Sequence, residues 1–278
     1  MFSSFRNQRI FNLSKSIKYN PGSQNIIDVK SEHMFSEYEV DQFLNEHDFI
    51  KNKKLISISP GGFKGFYMLG ICKYIKANYN LENYIFSGAS AGAWNSLLLC
   101  FNKDIDELQN KIIDKTLLNT NKMGDIENLL KQKMLETYTT SDFDLKRLFV
   151  GVTTYNKYRT NTTIFTGFDN LEDAINCCVA SSHIPLITGG LTNFYRNVLS
   201  FDGGFSKYPY LNTTKSVLHI TPSLWTTDKN IIKPSMTITD YTKLFTNKKY
   251  NFNEMIENGY KDSKENKNYL DEIFDIKK

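Results

Sequence analysis

The sequence predicts an α/β protein built on a parallel sheet, and three observations carry that prediction. Between Lys54 and Phe101 the chain alternates twice between a short apolar strand-like run and a helical pattern. Each strand-like run ends in a glycine-rich turn before the helix begins. Further on, a third apolar run, Val198 to Phe201, enters Asp202-Gly203-Gly204. Strand, turn, helix, repeated, is the pattern of a right-handed βαβ unit whose turns share one edge of the sheet.

Leu55 to Ile58 has the length and β-branching of a buried strand. It breaks at Ser59-Pro60-Gly61-Gly62, and Phe66, Leu69, Ile71 and Ile75 then recur near helical spacing. Tyr84 to Phe86 is the second strand-like run. It leads into Gly88-Ala89-Ser90-Ala91-Gly92, and a further helical pattern starts at Ala93. The second turn has the form G-x-S-x-G. A tight strand-to-helix elbow needs glycines where side chains would clash, and it leaves the serine hydroxyl exposed at a helix N-terminus. Unpaired N–H groups and the helix dipole favour developing negative charge there. Ser90 is therefore a candidate nucleophile; the plainer reading is a small-residue helix start that packs closely.

Acyl transfer also needs preorganised donors for the oxyanion. The turn at Gly61 and Gly62 lets backbone approach a substrate closely, whereas Pro60 has no N–H to give. The plainer readings of Gly61-Gly62-Phe63-Lys64-Gly65 are a phosphate loop or a simple turn. It lacks the Walker A spacing.

At 278 residues the chain is long enough for one large α/β domain. Residues 1–50 read as an N-terminal arm and helix and 51–278 as the catalytic domain. Net charge is +4, compatible with an anionic membrane surface and too mild to argue for nucleic acid. The mean hydropathy is negative, as in soluble proteins. Cys72, Cys100, Cys177 and Cys178 have no zinc-ligand spacing and imply no disulfide framework. A reducing, cytoplasmic compartment follows, with the thiols read as inert packing. Residues 1–27 are basic, serine-rich and free of acids. They read either as an organellar leader or as a basic arm that touches lipid headgroups. No apolar run reaches membrane-spanning length, so any membrane contact is expected to be peripheral.

Residues 36–50 read as a short helix. Residues 104–118 and 125–137 read as two more, with Asp104 capping the first. Their charged residues are expected on solvated faces; in an esterase the same insertion would also be placed to help wall the substrate pocket. Leu148 to Thr154 and Thr162 to Thr166 read as strands joined through Asn156-Lys157, and Leu171 to Ala180 as a helix ending at Ser181-Ser182-His183-Ile184-Pro185. Ser216 to Thr221 is a strand. Helices at 239–247 and 252–273 close the chain, the last charged on most faces and expected to pack by one edge.

Asp202 draws attention by position. It follows an apolar strand and precedes two glycines, which presents a carboxylate at the edge that carries the earlier turns. Burial without a cation would raise its pKa and make it a competent base. The plainer reading is an Asp-Gly turn.

Taken together, Pro60-Gly61-Gly62-Phe63-Lys64-Gly65, Gly88-Ala89-Ser90-Ala91-Gly92, Ala180-Ser181-Ser182-His183-Ile184-Pro185 and Asp202-Gly203-Gly204 resemble, in order and spacing, the motifs of the patatin-like phospholipase family, over residues 54–210. That resemblance implies a three-layer α/β/α fold with a mostly parallel central sheet, and lipid acyl hydrolysis by a Ser–Asp dyad with no metal or cofactor. It implies Ser90 as nucleophile, Asp202 as base, and the Gly61 and Gly62 amides as the oxyanion hole. Lys64 matches the family's basic position, and Gly65, Gly88, Gly92, Gly203 and Gly204 match its supporting glycines. Pro60 departs from the family's usual first glycine and has no N–H, so oxyanion stabilisation would be weaker here if that position supplied a donor. The implied partner is a lipid substrate, met at a membrane or lipid aggregate.

Two other readings stand beside this one. The order Ser90, Asp202, His219 also matches the triad order of α/β-hydrolases, although His219 lies within an apolar strand pattern where a structural histidine is expected. The chain could also be a catalytically weak lipid-binding scaffold of the same fold. His183 reads as support for its turn.

Overall fold

The computed structural model describes residues 25–30, 52–120, 122–156, 159–206, 209–211, 216–225 and 251–274. Among them, eight strands form one sheet: β1 (Asn25–Lys30), β2 (Lys54–Ile58), β3 (Tyr84–Ala89), β4 (Leu148–Asn156), β5 (Arg159–Thr166), β6 (Asn193–Tyr195), β7 (Val198–Phe201) and β8 (Ser216–Ile220). The order is β1-β5-β4-β3-β2-β8, with the β6–β7 hairpin joined to β4. The four central strands β8, β2, β3 and β4 run parallel. β5, β1 and the hairpin are antiparallel additions on the β4 side.

Strand alternation sorts the core. Ile56, Ile58, Phe86, Leu148 and Val150 point to the face that holds the main apolar cluster. Leu55, Ile85, Phe149 and Ile164 point the other way and are also fully buried. Both faces are thus shielded from water, as the continuous apolar runs of parallel strands require. The fold is α/β with a mostly parallel central sheet flanked by helices.

The described helices are α1 (Gly65–Asn78), α2 (Ala91–Leu99), α3 (Ile105–Ile112), α4 (Lys115–Leu118), α5 (Met123–Thr137), α6 (Leu171–Ser181), α7 (Phe252–Glu265) and α8 (Lys267–Ile273). The helix expected over 104–118 is two. Asp104 caps α3 by accepting from the Asp106 N–H at 2.9 Å, and Asp114 restarts the chain as α4 by accepting from Leu117. The closing helix breaks at Asn266. It also packs far more intimately than one charged edge would suggest. A Cβ on Gly70 of α1 would lie 2.0 Å from the Ile256 carbonyl oxygen, and one on Gly259 of α7 would lie 2.0 Å from that of Tyr67. Reciprocal glycines let the two backbones touch. Around them Phe66 stacks on Phe252 at 4.2 Å and the Tyr67 hydroxyl donates to Asp262 at 2.6 Å.

β1 lies within the segment read as an arm and pairs antiparallel with β5 over its whole length. The helices expected at 36–50 and 239–247, and the basic start of the arm, lie outside the described residues. Among the described residues no helix is long and apolar enough to cross a membrane.

Topology brings the chemistry-bearing residues together. On one edge of β4, β3 pairs with Leu148 to Gly151 and β7 with Thr153 to Tyr155, while β5 holds the other edge. β3 and β7 run in opposite directions, so their C-terminal ends abut. Ser90 follows one and Asp202 the other. The sequence pattern located the Asp202 turn but not its antiparallel approach.

Candidate active site

Ser90 joins β3 to α2 with φ 53° and ψ −128°. This conformation is strained for a non-glycine residue, by about 1–3 kcal/mol, and persists only where the surroundings impose it. The flanking glycines show what imposes it. A Cβ on Gly88 would lie 2.2 Å from the Gly92 carbonyl oxygen, and one on Gly92 would lie 2.3 Å from that of Ile58. Strand, elbow and helix are pressed together too closely for any side chain at either position.

The Ser90 hydroxyl donates to Asp202 Oδ2 at 2.6 Å. The other carboxylate oxygen, Oδ1, accepts from the Gly204 N–H at 2.6 Å. Both residues are buried. Burial pushes the Asp202 carboxyl up to about 6, against the opposing pull of the Ser90 hydroxyl and the Gly204 amide. Gly203 is required by contact, since its Cβ would lie 2.5 Å from the Gly151 carbonyl oxygen and 2.6 Å from the Ala89 Cβ.

The end of α6 braces this pair. Ser181 Oγ accepts from the Ser90 N–H at 2.8 Å and donates to the Gly151 carbonyl at 2.6 Å. Ser182 Oγ accepts from Trp94 Nε1 at 3.1 Å and donates to the Cys178 carbonyl at 2.7 Å. The ring of His183 packs at 6.3 Å from Phe201, and burial pushes its pKa down.

In the first turn Gly62 has φ 51°, a left-handed conformation that favours glycine. Gly62 borders the same cavity as Ser90. Gly61 packs behind it, where a Cβ would lie 2.7 Å from Met68 Cε. Among the described residues neither amide donates a hydrogen bond. Gly65 seats the turn against the elbow, its would-be Cβ 2.7 Å from that of Ala91. Lys64 is exposed.

The cavity beside Ser90 encloses about 740 Å³ of space, its open mouth included. Phe66, Leu69, Trp94, Leu98, Leu108, Ile112, Leu130 and Met134 make its wall apolar. The insertion of α3 to α5 therefore does wall a pocket. A chain of methylenes fits such a lining, and a charged ligand does not.

A family model for patatin-like phospholipases matches residues 56–211, more than half of the chain. The chain belongs to the patatin-like phospholipase family. The family is one of lipid acyl hydrolases, and the matched stretch holds both turns, the elbow and the Asp-Gly-Gly segment. No curated protein matches the chain.

Other candidates are placed elsewhere. His219 shares a hydrogen bond with Ser57 Oγ at 2.8 Å, with the Tyr210 ring 4.7 Å away. No described hydrogen bond links it to Ser90 or Asp202, and burial pushes its pKa down. All four cysteines are buried, and burial pushes their thiols up. Among the described residues no group of three His, Cys, Asp or Glu side chains is placed to hold a metal ion.

Three features around this site were not legible in the sequence pattern. Gly151 and the bracing role of Ser181 depend on strands distant in sequence. Glu127 is a buried acid in the cavity wall, not a residue on a solvated face. A signal for it existed, because Glu127 shares a helical stripe with apolar Leu130 and Met134.

Proposed function

We propose that the protein hydrolyses carboxylic esters of lipids through Ser90 and Asp202. The observation that carries this reading is the 2.6 Å hydrogen bond between Ser90 Oγ and the buried Asp202 carboxylate, at the wall of an apolar cavity. Asp202 takes the hydroxyl proton as Ser90 Oγ attacks the ester carbonyl. The unspent amide of Gly62, with that of Gly61 next to it, receives the oxyanion. The tetrahedral adduct collapses, its C–O bond breaks, and protonated Asp202 returns the proton to the departing alcohol. Water then attacks the acyl-enzyme, Asp202 takes its proton, and Ser90 leaves reprotonated by the same carboxyl group. Each step conserves the single proton that Asp202 carries, so no histidine is required.

The raised pKa supports the assignment, since a base near 6 is both deprotonated at neutral pH and stronger than an ordinary aspartate. We place the lipid contact on the apolar rim beside the cavity. Phe194, Leu199 and Tyr155 face one another across β6, β7 and β4, and Leu186 and Leu191 project from the adjoining turn. That turn meets the pocket wall, because the Thr188 carbonyl oxygen lies against Gly124 of α5 and Thr188 Oγ1 bonds the Ser182 carbonyl. A lipid surface is the partner whose chemistry continues from this rim into the cavity.

The test is hydrolysis of a panel of soluble and lipid esters by the full chain and by Ser90→Ala, together with labelling by a serine-directed fluorophosphonate. Turnover and labelling in the wild type, both lost in a folded Ser90→Ala protein, are expected. A lipid-binding scaffold would do neither, and wild-type turnover in the variant would remove Ser90 from the mechanism.

A further inference from the structure

The hydrolytic mechanism makes no use of the most unusual side chain in the cavity. Glu127 is 5% exposed on α5 and lines the same cavity as Ser90. Among the described residues no lysine, arginine or histidine borders that cavity to neutralise it. An ionised carboxylate there would face apolar walls and, nearby, the negative charge of Asp202. Burial first, and Asp202 in addition, hold the Glu127 pKa well above the usual carboxylate range, opposed only by the Ser182 hydroxyl. Burial among apolar walls therefore favours the protonated, uncharged form of Glu127.

A neutral acid has one proton to give and a carbonyl oxygen that accepts. Ser182 Oγ donates to Cys178 and accepts from Trp94, and a hydroxyl oxygen has two lone pairs. The Ser182 hydroxyl thus lies between the Cys178 carbonyl and the Glu127 carboxyl. Oε1 remains, and it is buried with no hydrogen-bond partner among the described residues. A buried acceptor left unsatisfied is a standing cost that native proteins rarely carry without a reason. The reason is supplied by a ligand that brings a donor. Ser182 stands next to Ser181, which holds the Ser90 N–H, so the donor would sit near the reacting ester. Hydrocarbon chains carry no donor, and phosphate esters would bring only acceptors and negative charge toward two carboxyl groups. An uncharged hydroxyl fits.

We propose that Glu127 is a specificity-determining residue that accepts a hydrogen bond from a free hydroxyl close to the scissile ester, so that the cavity selects hydroxylated lipid esters over their deoxy counterparts. The hydroxyl could belong to the alcohol part, as in partial glycerides, or to the acyl part, as in esters of hydroxy fatty acids. This inference rests on the hydrolase reading above and deepens it by naming the substrate class.

The experiment compares kcat/KM for matched short-chain ester pairs with the full chain. One arm sets a glycerol monoester against its di-O-methyl ether. The other sets a 3-hydroxyacyl ester against the plain acyl ester of the same alcohol. The wild type is expected to favour the hydroxylated member in one arm by about tenfold or more, because a site with a buried polar group discriminates against the analogue that leaves it unpaired. The arm that shows the preference identifies the source of the hydroxyl. Glu127→Gln keeps a carbonyl acceptor and should retain most of the preference; Glu127→Leu should erase it. Glu127→Met replaces the leucine variant should that not fold. A merely structural glutamate would alter melting temperature without moving the ratio. No preference in either arm, or a preference that survives in a folded Glu127→Leu protein, overturns the proposal. Failure to turn over any ester, deoxy ones included, overturns the hydrolase reading and this inference with it.

Discussion

The backbone N–H of Asp202 donates to the carbonyl oxygen of His183 at 2.7 Å. Two residues away, Ser181 Oγ receives the backbone N–H of Ser90. The end of one helix thus holds the proposed nucleophile and the proposed base, one by a side chain and the other by a carbonyl. Their 2.6 Å separation is set by this shared brace, because the strands that deliver them have opposite directions and only abut.

Ser181→Ala should consequently impair chemistry more than binding. The change strands the Ser90 N–H and the Gly151 carbonyl, both bonded by the lost hydroxyl. Stability should fall by about 1–3 kcal/mol. On a soluble ester kcat is expected to drop by about tenfold or more, with KM nearly unchanged. A variant with a wild-type kcat and the expected stability loss would show that the brace serves folding alone.

Asp202→Asn should remove nearly all turnover, since an amide cannot take the serine proton, while His219→Ala should keep most of it. The histidine change leaves Ser57 without its partner and is expected to cost about 1–2 kcal/mol, the size of a typical core polar deletion. Activity is measured well below each melting temperature, with circular dichroism as the folding check. A folded, inactive His219→Ala protein would favour a triad.

The pH dependence has a defined sign. Asp202 must be ionised to act as base, so kcat/KM on a soluble ester should rise with pH through about 6 and then level off. Stability moves oppositely. The folded state holds this proton more tightly than the unfolded chain, whose aspartate titrates near about 4. The contribution is greatest below the unfolded pKa and is lost as pH rises toward about 6. The whole effect is of order 3 kcal/mol at about 1.4 kcal/mol per pKa unit. Asp202→Asn should therefore gain melting temperature relative to wild type between pH 4 and pH 7. A pH-independent difference in melting temperature would contradict a buried, cation-free carboxyl.

Phe194→Asp and Leu186→Asp test the rim. Both side chains are mostly exposed, so the substitutions should leave the fold intact. Each is expected to lower the ratio of vesicle hydrolysis to soluble-ester hydrolysis by about tenfold or more, because a carboxylate resists entry into lipid. An unchanged ratio would move the lipid contact to another surface.

The central strands, both glycine turns and the elbow were legible because local spacing encodes them. Short apolar runs, glycines at contact points and helical stripes follow one another within Lys54 to Phe101. Val198 to Phe201 was read with the bounds the strand has, yet its direction was not, because a four-residue run carries no sign of which partner it meets. In sequence Glu127 reads as a surface charge, because a helix pattern shows which face is apolar, not what lies across from it. The paired glycines Gly70 and Gly259 were invisible for a similar reason. Each is a lone glycine in a helix, and only the meeting of α1 with α7 gives them a purpose.

That meeting bears on how the protein could be shortened. The stretch the family model matches ends at residue 211, and α7 begins some forty residues later. Cutting there would strip the cover from the helix that opens at the Gly61–Gly65 turn, exposing Phe66, Gly70 and Tyr74 to water. A fragment trimmed to the recognisable motifs would retain every proposed reacting group and still lose the surface that keeps the first turn in place.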